Sequence, residues 1–176
     1  VGAGMTRHVH SSTIETFEAC IGPTPTSPAR KKARLLLARL DPGVVPPTSR
    51  FPVTWTTDDG IAVSALPNVF SASRIDRGTA LLLGSLPDLP DPSGKVAVDL
   101  GCGSGVVAAT IASRNPGVHV VCCDESYEAV ESARLTVSRT TDDVELHVTD
   151  MLDGIDDASA DVVVVNPPFH AGGART

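Results

Sequence analysis

From Lys95 onward the chain alternates short apolar runs with segments of helical spacing. Residues 96–100 predict a buried strand, 105–113 a helix opened by glycines and ended near Asn115-Pro116-Gly117, and 118–123 the next strand. Residues 125–139 predict a second helix, with Ala129, Val130, Ala133 and Val137 on its apolar stripe. Two more strands follow at 144–148 and 161–165. This rhythm implies right-handed crossovers and a parallel sheet. Upstream, residues 51–56 and 61–66 alternate around Asp58-Asp59-Gly60, the pattern of a hairpin. Ser12 with Glu15 predicts a capping box for a short helix carrying Ile14, Phe17 and Ile21 and stopped by Gly22. The breakers at 22–28, Asp41-Pro42-Gly43 and Pro46-Pro47 place a boundary near Arg50. In between, Leu35-Leu36-Leu37 is too short for periodicity to separate helix from strand.

Composition narrows the picture. Of 176 residues 41% are hydrophobic and only 3% aromatic, so the core is built from Val, Leu, Ala and Ile. A formal charge of -7 opposes non-specific attraction to a polyanion, so any nucleic-acid contact must use a local basic patch or sequence outside this stretch. Cys20, Cys102, Cys122 and Cys123 contain no CxxC pair, and the adjacent two point to opposite faces of a strand, which argues against a metal site. No apolar run approaches the ~20 residues of a membrane helix, and the amino end lacks a signal pattern. The expectation is a soluble cytoplasmic protein with free thiols and no membrane partner. Val1 stands where an initiator Met would, so the natural start is expected upstream.

The most informative stretch is Val98-Asp99-Leu100-Gly101-Cys102-Gly103-Ser104-Gly105, a strand running into glycines and then a helix. Glycines let backbone approach a ligand closely, and a helix start offers unpaired N–H groups. Gly103 to Ala108 also fits the dinucleotide pattern GxGxxG/A, and Asp124 falls about 20 residues on, where a ribose-binding acid belongs. A nicotinamide dinucleotide therefore stays open on this motif. Asp99 at the strand tip favours the cationic methionine end of S-adenosylmethionine.

The second motif, Asn166-Pro167-Pro168-Phe169, follows an apolar strand at its carboxyl end, where open α/β sheets bind ligands. Prolines fix the backbone, holding the Asn amide oxygen and nearby carbonyls rigid. An exocyclic base amine is a poor nucleophile because its lone pair is delocalised into the ring. Two fixed acceptors for its N–H groups draw that pair toward an electrophilic methyl, with no Ser, Cys or His nucleophile needed. Phe169 stacks on a flipped base in this reading.

Together Val98 to Gly105, Asp124-Glu125-Ser126 and Asn166-Pro167-Pro168-Phe169-His170 resemble the class I ribosomal RNA guanine-N2 methyltransferases. Asn68-Val69-Phe70-Ser71, Asp76-Arg77-Gly78-Thr79 and Leu81-Leu82-Leu83 resemble the segment these enzymes place before the cofactor motif. Met5 to His10, Ile21-Gly22-Pro23 and Arg30-Lys31-Lys32-Ala33-Arg34 are similar to the large-subunit branch. The resemblance implies a Rossmann-like α/β domain with a mainly parallel sheet, broken off after the fourth strand. Residues 1–48 would be the end of an amino-terminal, methyltransferase-like, RNA-holding domain with its linker. Residues 49–176 would be the catalytic domain without its carboxyl-terminal strands. It further implies S-adenosylmethionine as cofactor, large-subunit ribosomal RNA as partner, and no metal. By that match Asp99, Gly101 and Gly103 line the methionine end, Asp124 the ribose, and Asp150 with Met151 the adenine; Gly105 is expected among the cofactor-binding residues. Asp76 and Thr79 close over the methionine, while Asn166, Pro167 and Phe169 face the acceptor.

Other readings stand beside this one. An Asn-Pro-Pro-aromatic motif also serves adenine N6 and protein glutamine methylation, and a non-catalytic cofactor- or RNA-binding remnant is a third class. Arg30 to Arg34 is either a phosphate contact or a solvated face. His170 is a candidate proton relay, although the alkylated amine can lose its proton to water unaided. His8 and His10 read as ordinary polar residues, and Trp55 as hairpin packing rather than a base-stacking platform. Ending at Thr176 would leave the valines 162–165 on an open edge, so a longer polypeptide is expected.

Overall fold

Val-Ala-Val-Asp-Leu and His-Val-Val-Cys-Cys-Asp lie side by side as strands because residues of this kind are stable in a sheet buried on both faces. The computed structural model describes residues 1–86 and 88–167. They fall into two units, Val1–Ser49 and Arg50–Thr176.

In the first unit β1 (Gly2–Met5) pairs antiparallel with β2 (Ala33–Leu36), and α1 (Ser11–Cys20) lies between them in sequence. The expected Ser12–Glu15 capping box is not formed. The N-cap is His10, whose side chain makes no capping bond, and Ser12 sits inside the first turn. The run of basic residues is a hairpin tip. Lys31 and Lys32 take φ of 50° and 62°, and Arg30 and Ala33 exchange backbone bonds of 2.8 and 3.0 Å. Positive φ at both central residues is the geometry of a type I′ turn, normally held by Asn-Gly. Strand β1 carries two glycines in four residues, so it gave no apolar signal.

The second unit opens with the expected hairpin, β3 (Val53–Thr56) and β4 (Ala62–Ala65), turning at Gly60 with φ +86°. Then come α2 (Arg77–Ser85), β5 (Val96–Leu100), α3 (Val106–Arg114), β6 (His119–Asp124), α4 (Tyr127–Val137), β7 (Val144–Val148) and β8 (Val162–Val165). The four later strands form one parallel sheet in the order β7-β6-β5-β8. This is a Rossmann-like α/β fold. Cys122 joins a core with α3, Val63, Leu83 and Val164, whereas Cys123 joins Val98 and Val121, so the adjacent cysteines do face opposite sides.

The hairpin is fastened to α4 rather than to another strand. Ser64 N donates to Thr136 Oγ1 at 3.0 Å, Leu66 N to Ser132 Oγ at 2.9 Å, and Arg139 to Ser64 Oγ at 3.0 Å. The Thr136 and Ser132 hydroxyls satisfy the backbone donors of Ser64 and Leu66, each of which would cost about 1–3 kcal/mol if buried and unpaired. The chain leaves β5 toward β6 on one side, while β8 lies on the other. The sheet thus has a topological switch point at β5, where a crevice opens beyond the strand ends.

Candidate cofactor and acceptor site

That crevice is a cavity of about 740 Å³ lined by the carboxyl ends of β5, β6 and β8 and by the start of α2. Asp76, Thr79, Asp99, Gly101, Gly103, Asp124, Asp150, Met151, Asn166 and Pro167 all line it. Gly105 does not. Phe169, Pro168 and His170 lie outside the described residues.

The three motif glycines divide the work. Gly101 (φ +73°) and Gly103 (φ +53°) have no atom within 4 Å of where a Cβ would stand, so their backbone faces open space. Gly105 (φ +75°) would put a Cβ 2.6 Å from Ala133 Cα, so its lack of a side chain lets α3 and α4 touch. Its contact is with α4, and it is not among the residues that line the cavity. All three need the left-handed region that side chains rarely adopt.

Asp124 braces the loop. One carboxylate oxygen accepts from Gly103 N at 3.0 Å and the other from Ser126 N at 2.9 Å. Each oxygen keeps a lone pair for a further donor, such as a ribose hydroxyl. Asp99 is only 3% exposed and accepts from Ala108 N at 3.1 Å. Burial pushes its pKa up to about 7, opposed by the Ala108 bond and helped by the charge on Asp124. A buried carboxyl poised there is a natural counterion for a cationic ligand. Cys102 also lines the cavity, but its bond with Cys122 and its burial push its thiol pKa up, so it is no nucleophile.

At the other wall Asp76 caps α2. Its Oδ1 accepts from Gly78 N at 2.8 Å and Thr79 N at 3.3 Å, and its Oδ2 accepts from the Thr79 hydroxyl at 2.5 Å. Burial acts to raise the Asp76 pKa, but the bonds from the Thr79 hydroxyl and from the Thr79 and Gly78 amides outweigh it and hold the pKa below its ordinary value. Asn166 Nδ2 donates to Thr79 Oγ1 at 2.9 Å, so the two sequence motifs meet.

Sequence reasoning gave no role to Phe70 and Arg74, which also line the cavity. Phe70 is 71% exposed. Their loop is shaped by Asn68 and Ser71 at φ of 64° and 53°; asparagine favours that region, whereas serine gives no such signal. Trp55 packs on the core as expected and lines the cavity too. Among the described residues no cluster of His, Cys, Asp or Glu is arranged to hold a metal, and no helix is long and apolar enough to cross a membrane.

A family model described as methyltransferase small domain matches residues 60–176, and one described as RLMG N-terminal domain matches residues 1–42. The ribosomal RNA large subunit methyltransferase G of Streptomyces avermitilis is 43% identical over 183 residues, spanning 100% of this chain and 48% of its own. That of Pseudoalteromonas atlantica is 38% identical, over 97% of this chain and 46% of its own. The chain spans about half the length of the curated relatives it matches. Among solved structures, the T. thermophilus 16S rRNA N2 methyltransferase RsmC, in complex with AdoMet and guanosine, aligns with TM-score 0.78 and 25% identity. That alignment covers 98% of this chain and 47% of the other.

Proposed function

The chain belongs to the methyltransferase small domain family, and on that premise we propose that it transfers a methyl group from S-adenosylmethionine to the exocyclic N2 of a guanine in ribosomal RNA. The observation that carries this reading is the single cavity shared by the Gly101–Gly103 loop, Asp124 and Asn166. A nucleoside cofactor and a planar base amine would meet in it.

The residues fit that cofactor. Open backbone at Gly101 and Gly103 would admit the methionine end, with Asp99 as counterion, Asp124 would take the ribose hydroxyls, and Asp150 with Met151 would flank the adenine. When bound, the cofactor supplies an electrophilic methyl on a sulfonium. The chain's own contribution is positioning. Asn166 Oδ1 and a neighbouring backbone carbonyl accept the two amine N–H bonds and point the nitrogen lone pair along the transfer line. Pro167 stiffens that backbone. By the family resemblance Phe169 stacks on the base. The methylated amine is acidic and gives its proton to water.

Names of the relatives favour large-subunit ribosomal RNA as the substrate, and on this reading the place of action is the cytoplasm. In this reading residues 1–48 hold RNA and 49–176 bind cofactor and catalyse, with the Lys31-Lys32 tip as a phosphate contact. Labelled S-adenosylmethionine offered with deproteinised ribosomal RNA, DNA and protein in parallel tests the substrate class. Label should enter RNA and be lost in Asn166→Ala, whose cofactor affinity should stay near normal. Label in protein alone, or near-normal turnover of Asn166→Ala, would contradict the proposal.

A further inference from the structure

Thr79, Asp76 and Asn166 form a chain of hydrogen bonds with only one consistent direction. A carboxylate is acceptor-only, so the bond between Asp76 Oδ2 and Thr79 Oγ1 must use the Thr79 hydroxyl proton. A hydroxyl has one proton. Thr79 therefore offers only lone pairs to Asn166, and the group that meets it must be the amide NH2 and not the amide oxygen. The low pKa of Asp76 keeps the carboxylate charged and the direction fixed over the physiological range. Both backbone donors at the helix start, Gly78 N and Thr79 N, already point at Asp76 Oδ1, and the described residues send Asn166 Oδ1 no hydrogen bond.

Gly78 closes the arrangement from the other side. A Cβ there would stand 2.9 Å from Asn166 Oδ1 and 3.1 Å from Asp76 Oδ1, so the amide can lie this close to α2 only because residue 78 is glycine. It is a contact between α2 and the acceptor motif.

We propose that Thr79 is a positioning residue that fixes which end of the Asn166 amide is left to accept from the base amine: Nδ2 is bound to Thr79 Oγ1, and Oδ1, beside Gly78, keeps its lone pairs. The inference rests on the reading that Asn166 accepts from the substrate amine. It differs from the role implied by the family resemblance, in which Thr79 closes over the methionine. A flipped amide would present two N–H donors to an amine that itself brings two N–H groups, and the acceptor nitrogen would be repelled rather than aligned.

The test uses the native gene product and two readouts. In single-turnover methyl transfer, Thr79→Val, which keeps the shape and loses the hydroxyl, should slow the step about 10- to 100-fold. S-adenosylmethionine affinity by calorimetry should change less than about threefold, and Thr79→Ser should restore most of the rate. In parallel, with asparagine labelled in 15N, the side-chain amide resonances of Asn166 should shift in Thr79→Val and return in Thr79→Ser. A normal rate in Thr79→Val, or a rate loss matched by an equal loss of cofactor affinity, would overturn the proposal. If the wild type methylates no guanine, the proposed function fails by itself, and the amide resonances still decide this inference: unmoved by Thr79→Val, they refute it.

Discussion

Asp99 accepts a hydrogen bond from Ala108 N across 3.1 Å, tying the tip of the central strand to the first turn of α3. Burial lifts its pKa from an ordinary value near 4 to about 7. A raised folded pKa means the native state holds a proton that the unfolded state releases. Stability is therefore full below the unfolded value and falls as pH rises from about 4 through about 7, levelling off above it. The loss is at most a few kcal/mol, at about 1.4 per pKa unit. Between pH 5 and 8 the melting temperature of wild type should fall relative to that of Asp99→Asn as pH rises. Parallel curves would show that Asp99 is not titrating in this window.

The same carboxyl should matter to the cofactor. Removing one charge-assisted hydrogen bond costs roughly 1.5 to 3 kcal/mol, so Asp99→Ala should weaken S-adenosylmethionine by about 10- to 150-fold. Calorimetry should show no comparable binding of NAD. Tighter NAD than S-adenosylmethionine would reverse the cofactor assignment.

Two glycines of one motif should fail in different ways. Gly105→Ala drives a Cβ into the Ala133 backbone at 2.6 Å and should lower thermal stability strongly, by about 2 kcal/mol or more. Gly103→Ala meets no atom within 4 Å and should cost mainly cofactor affinity, beyond about 1 kcal/mol of strain for a side chain at positive φ. Equal melting temperatures for the two variants would contradict this division.

The sheet was legible because its strands are short valine-rich runs between glycine and proline stops, and β7 at Val144–Val148 matches the expected span. Asn166 and Asp76 were also legible as residues, each within its motif. Their connection through Thr79 was not, because it joins positions 87 apart in sequence. Strand β1 was hidden by its glycines, and the capping box at Ser12 was a local pattern that the start at His10 overrode. The Lys31-Lys32 turn was hidden because neither lysine is a residue type that favours positive φ.

Both lysines of that turn are exposed at a tight tip, and the proposed function makes them a phosphate contact. Replacing Lys31 and Lys32 by Ala should weaken RNA binding with little sequence preference. The slope of log affinity against log salt should become shallower by about 0.7 to 0.9 for each phosphate that is no longer neutralised. An unchanged slope would return the tip to a solvated surface.

The central claim is the identity of the methylated atom. The native gene product should be incubated with S-adenosylmethionine carrying a labelled methyl group and with ribosomal RNA from cells lacking the gene. The RNA is then digested to nucleosides and separated with mass detection. The expected result is label in N2-methylguanosine alone, abolished by Asn166→Ala. Label in N6-methyladenosine, or on a guanine atom other than N2, would contradict the claim.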